Sequence, residues 1–135
     1  MIRTLSPTLT LAAAALSLSA CAHASVPRHT ALHDTSWKIV RIDGKAPASP
    51  RAAIRFTRDR LSATVGCNGQ GGTWAIEQGK LVGGPYMSTM MYCKGLMEQE
   101  RALADLLGAK PSVEVTRGTL TLRSKEHVIE AKRVK

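Results

Sequence analysis

The chain has 135 residues and a formal charge of +9, with 44% hydrophobic but only 4% aromatic residues. That is one domain's worth of chain, whose core must lean on Leu, Val, Ile, Met and Ala. No run reaches the roughly 18 consecutive apolar residues that a membrane-spanning helix needs.

The first 20 residues read as an export signal. Arg3 is the only charge before Cys21, and the apolar stretch from Leu9 to Leu18 is too short to span a bilayer. It ends Leu18-Ser19-Ala20-Cys21, the form of a bacterial lipobox, in which Cys21 is acylated and becomes the new N-terminus. Lasting membrane attachment follows once two or more acyl chains are present. Ala22 in place of Asp after the cysteine favours the outer membrane, facing the periplasm. Residues 21–34 then read as a lipidated tether without apolar period, so His23, His29 and His33 are expected to be incidental to a solvated linker. A metal-catching tract is the alternative for them.

A domain is expected over 35–135, opening with the β-rich run Trp37–Ile42, which Asp43-Gly44 stops. Ile54–Thr57 and Leu61–Val65 alternate inward and outward around an Arg58–Arg60 connection. Gly66–Gly72 is expected to be a loop, followed by a strand through Trp74 and Ile76, a Gln78-Gly79 turn and a short partner at Leu81-Val82. Between Gly95 and Leu107 the apolar period lengthens to that of a helix, with Leu96, Leu103 and Leu107 on one stripe and Gly108 as its C-terminal stop. Strands at Val113–Thr116, Thr119–Leu122 and His127–Glu130 complete the chain. Seven or eight short strands in hairpin order with one helix predict an α+β fold, its sheet mostly antiparallel and strongly curved.

Cys67 and Cys93 are the cysteines left beyond the signal, and their even count in an exported protein predicts a disulfide. Met87, Met90, Met91 and Met97 crowd around the second of them; they read as core filler, with soft copper(I) ligation the alternative. Glycine-rich though it is, Gly66–Gly72 is no phosphate loop, and neither Gly-x-Ser-x-Gly nor His-Glu-x-x-His occurs. A nucleophilic cysteine would need a base, and His127 is the only histidine of the expected domain. A non-catalytic protein with no cofactor is therefore expected. The basic charge reads as a solvated surface, with an anionic envelope lipid the alternative partner; the helix carries Glu98, Glu100 and Asp105, so nucleic acid is not expected.

The pattern Gly66-Cys67-Asn68 through Gly72 to Trp74, then Thr89-x-Met91-x-Cys93, then Glu100, resembles the META domain family of HslJ-like bacterial heat-shock lipoproteins. The resemblance covers the chain from about Thr35 to its end. It implies a cracked β-barrel closed by one helix, structural roles for Asn68, Thr89, Met91 and Glu100, and a part in envelope stress or drug tolerance. Carriage of an acyl chain or hydrophobic peptide in the barrel is one alternative function; inhibition or chaperoning of another envelope protein is a second. Glu100 borders the apolar stripe, so it is expected to accept hydrogen bonds from the Cys67–Asn68 loop or from Thr89. The rival placement leaves it half-exposed and paired with Arg101 or Lys94.

Overall fold

A computed structural model describes residues 31–135; the signal, Cys21, His23 and His29 lie outside the described residues. Lying wholly within the described residues are nine strands and one helix, in order β1 (Thr35–Ile42), β2 (Ala53–Phe56), β3 (Arg60–Thr64), β4 (Gly69–Glu77), β5 (Lys80–Gly83), β6 (Met87–Ser88), α1 (Met97–Gly108), β7 (Ser112–Thr116), β8 (Thr119–Arg123) and β9 (Val128–Val134). Alternation of buried and exposed side chains along β1, β2, β3 and β8 is the period-two pattern that a one-sided sheet requires. Asp43-Gly44, Gln78-Gly79 and Arg117-Gly118 each place both residues at positive φ, the geometry whose twist matches a hairpin.

The pairing runs β3-β2-β1-β9-β8-β7-β5-β4-β6, and β3 also pairs with β4, so eight strands close into a ring with β6 outside it. Every named pair is antiparallel. The ring is uneven. β1 and β9 pair from Ser36↔Val134 to Ile42↔Ile129 around one irregularity, whereas β5 and β7 meet at the single pair Lys80↔Ser112. The α+β class and the cracked, mostly antiparallel barrel are thus observed, with a thin seam where β5 meets β7.

One core fills the ring. Trp37, Ile54, Phe56, Leu61 and Leu120 from the strands are buried together with Leu103, Leu106 and Leu107 of the helix. Phe56 meets Trp74 edge to face at 4.9 Å between centroids, a favoured aromatic geometry. The helix is pinned to the ring's rim by polar bonds as well. Gln99 accepts from Ala48 N at 2.8 Å and donates to Ala46 O at 3.1 Å.

Four expectations need correction. The packed unit begins before Thr35: Leu32 is fully buried, its carbonyl accepts from Thr35 Oγ1, and His33 stands edge-on to Trp74 at 5.6 Å. An apolar side chain next to the first strand finds the core regardless of the linker-like composition around it. Gly69–Gly72 is strand and not loop, pairing with Thr64–Leu61 of β3. Gly72 serves close approach: a Cβ there would lie 2.8 Å from Pro85 O, so only hydrogen lets the Pro85–Tyr86 segment lie this near. At the helix end Lys110, not Gly108, takes the left-handed conformation, after Ala109 N has donated to the carbonyls of Asp105 and Leu106. Three of the four methionines, finally, are not core: Met87 and Met90 are 72% and 96% exposed and Met91 is exposed too, while Met97 is half-buried and its Sδ accepts from Cys93 N at 3.4 Å.

Candidate functional site

The sequence-predicted residues meet at the rim where the β3–β4 connection faces the segment before the helix. Gly66, at φ +116°, turns the chain there; a Cβ would collide with the Ser49 side chain, so glycine is required both for backbone angle and for space. Arg51 donates from Nη2 to Gly66 O at 2.7 Å and holds the turn from outside. Cys67 and Cys93 form a disulfide across this rim with Cα atoms 6.0 Å apart, closing a sequence separation of 26.

Asn68 does the work of a strand edge with a side chain. Its Oδ1 accepts from Met91 N at 2.7 Å and from Thr89 Oγ1 at 2.9 Å, while its Nδ2 donates to Met91 O at 3.0 Å. The amide thus pairs with the Met91 backbone as a neighbouring peptide would. Thr89 ties a second point: its hydroxyl accepts from Gly69 N at 3.2 Å, and its own N–H donates to Gly69 O at 3.2 Å. Met91 enters through its backbone; its side chain faces solvent.

Glu100 lies one turn into the helix and is 5% exposed. Its Oε1 accepts from Cys67 N at 3.2 Å and from Asn68 N at 3.0 Å. Those two amides are orphaned by the turn at Gly66, and a carboxylate aimed at them satisfies both at once. The position beside the stripe is therefore an inward one, and the pairing with Arg101 or Lys94 is not adopted. Gln70, which is not among the residues expected from the sequence, belongs to the same group. It is buried and donates from Nε2 to Glu100 O at 3.3 Å. Only the strand at Gly69–Gly72 brings it out: 70, 72 and 74 share the inward parity of β4, so Gln70 faces the way Trp74 does.

Beside this network lies an open groove of about 550 Å³, walled by Met90, Met91, Tyr92 and Met97 with Arg101 and Ala104 of the helix. Asn68, Gln70 and Glu100 line its floor; the exposed methionines and Tyr92 form its rim. The arrangement offers an adaptable apolar rim above a base whose polar side chains, Asn68, Gln70 and Glu100, are engaged in holding the backbone. Among the described residues no group of three His, Cys, Asp or Glu side chains is placed to hold a metal.

At the other end of the helix His127 bridges two elements: its Nδ1 lies 2.8 Å from Asp43 Oδ2 and its Nε2 3.9 Å from Asp105 Oδ2. Burial pushes the Asp43 carboxyl up, but the hydrogen bond from Val128 N and the His127 ring, with Lys45 nearby, outweigh it and hold the group below the usual carboxylate range.

Comparison with known proteins locates the fold. A family model for the META domain matches residues 30–135. No curated protein matches. Two solved NMR structures are similar. One has a TM-score of 0.70 at 22% identity over 77% of this chain and 92% of its own. The other, a protein from Burkholderia xenovorans, has a TM-score of 0.62 at 23% identity over 89% of this chain and 99% of its own.

Proposed function

The chain belongs to the META domain family, and from that premise we propose that it is a lipid-anchored binding protein of the bacterial cell envelope. It is acylated at Cys21, faces the periplasm from the outer membrane, and acts by holding a partner and not by catalysis. The setting is envelope integrity or drug tolerance under stress.

The observation that carries this reading is the methionine-rimmed groove beside the staple. Contiguous exposed apolar side chains on a small domain mark contact surfaces. Methionine suits such a surface because its thioether chain adapts to what it meets. Binding also loses less to ordering when the surface is preorganised, and here a covalent staple and the Asn68–Glu100 network hold the floor in place. The occupant is an apolar segment of another envelope protein that carries an acidic residue for Arg101. That arginine is exposed on the groove wall and makes no ion pair among the described residues. Carriage of an acyl chain inside the ring is less well supported, because Trp37, Phe56 and Leu120 already occupy the interior at full burial.

Photo-cross-linking in cells tests the reading. A photoreactive residue at position 90 should give one discrete protein adduct, and the same residue at position 117, on the β7–β8 turn, should not. Equal labelling from both positions, or none from position 90, would overturn it.

A further inference from the structure

A second cleft, of about 490 Å³, opens at the C-terminal end of the helix, over the seam between β5 and β7. Its floor is set by strand register. Lys80 stands opposite Ser112, and Ser112 stands opposite Arg123. Residues directly opposed in neighbouring strands point to the same face. All three are exposed, while the next residues on each strand, Leu81, Val113 and Leu122, are buried. With strands about 4.8 Å apart, Lys80 and Arg123 therefore flank a small hydroxyl across a gap of about 10 Å. Lys110 enters from the loop after the helix and Lys125 from the β8–β9 turn. None of these four cations forms an ion pair among the described residues.

Two carboxylates share the wall, Asp105 and Glu126. Asp105 is directed at His127 Nε2. Four exposed cations line a cleft that also holds two acids, a net positive lining that attracts an anion. Arg123 presents the planar fork that fits phosphate oxygens, the lysines add mobile charges, and Ser112 Oγ, now donating to Arg123 O at 3.3 Å, is a neutral donor between them. The acids suit a ligand that brings hydroxyl groups along with its phosphate. We propose that this cleft binds a phosphate ester of a polyol, carried either on a lipid headgroup or on a small soluble molecule. The proposal is independent of the methionine groove: cross-linking at position 90 can fail while this site holds, and the reverse.

Titration of the isotope-labelled protein, followed by amide NMR shifts, tests it with two probes: glycerol 3-phosphate, and phosphatidylglycerol vesicles set against phosphatidylcholine vesicles. The expected result is saturable shifts or broadening centred on Lys80, Ser112 and Arg123–Lys125. Lys80→Gln with Arg123→Gln should weaken it at least tenfold. Arg55→Gln with Arg58→Gln, which removes equal charge from β2 and the β2–β3 connection across the ring, should change it less than twofold. Binding of glycerol 3-phosphate supports a soluble ester as the source; binding to phosphatidylglycerol vesicles alone supports a headgroup. Response to neither probe overturns the proposal, as does equal loss in the two double variants.

Discussion

Glu100 and Asn68 show what single buried polar side chains can settle. Removing the Glu100 carboxylate by Ala strands the amides of Cys67 and Asn68 inside the protein, and an unmade hydrogen bond costs more than a made one contributes. Glu100→Ala should lower stability by about 2 kcal/mol, which in a domain of this size is a melting-point drop of about 10 °C. Glu100→Gln keeps an acceptor oxygen and should cost much less. Thermal denaturation of the pair checks this; an alanine variant melting within a degree of wild type would remove the role. Asp43 makes a prediction of opposite character. Its carboxyl is held below the usual range in the folded state, so its contribution is present above the unfolded pKa of about 4 and fades as pH falls through the folded value. Asp43→Asn should therefore reduce stability near pH 6 while narrowing the gap between the melting points at pH 6 and pH 3.

At the level of elements, the staple and the glycine strand are the two joints. On the chain-entropy account a disulfide spanning this separation stabilises by roughly 3.5 kcal/mol. Asn68 and Thr89 hold the same two segments together without it, so Cys67→Ala with Cys93→Ala should lose less than that, while keeping the fold by circular dichroism. Urea unfolding of oxidised wild type against the double variant measures the difference, and no difference would mean that the hydrogen bonds alone suffice. Gly72→Ala tests the other joint. The new methyl meets a backbone carbonyl, which cannot swing aside as a side-chain tip could, so a loss of about 1–3 kcal/mol is expected. The turns and alternating strands were legible because each depends on a few adjacent residues. Gly69–Gly72 was not: glycine has no side chain to show periodicity, and what required glycine at 72 was a segment some thirteen residues further along the chain.

For the whole molecule, the ring is strong on one side and thin on the other. Hydrogen exchange should be slowest along β1–β9 and fastest at the β5–β7 seam, where Leu81 N→Pro111 O and Val113 N→Gly79 O flank a single residue pair. Uniform protection around the ring would contradict the uneven closure. The address of the molecule is tested at the same scale: Cys21→Ser should move the protein from the membrane fraction to the soluble fraction, and unchanged fractionation would place the anchor elsewhere.

Sequence alone determined the α+β class, the hairpin order, the turns at Asp43-Gly44, Gln78-Gly79 and Arg117-Gly118, and the placing of Cys67, Asn68, Thr89 and Glu100 in one constellation. These are matters of local propensity, period and motif. Tertiary structure alone decided which way borderline residues faced. Whether Leu32 joined the core, whether the methionines were filler or surface, and whether Lys80 and Arg123 shared a face all depended on strand register and on how much aliphatic volume the ring already held. Such quantities are sums over residues distant in the chain, and no window of sequence contains them.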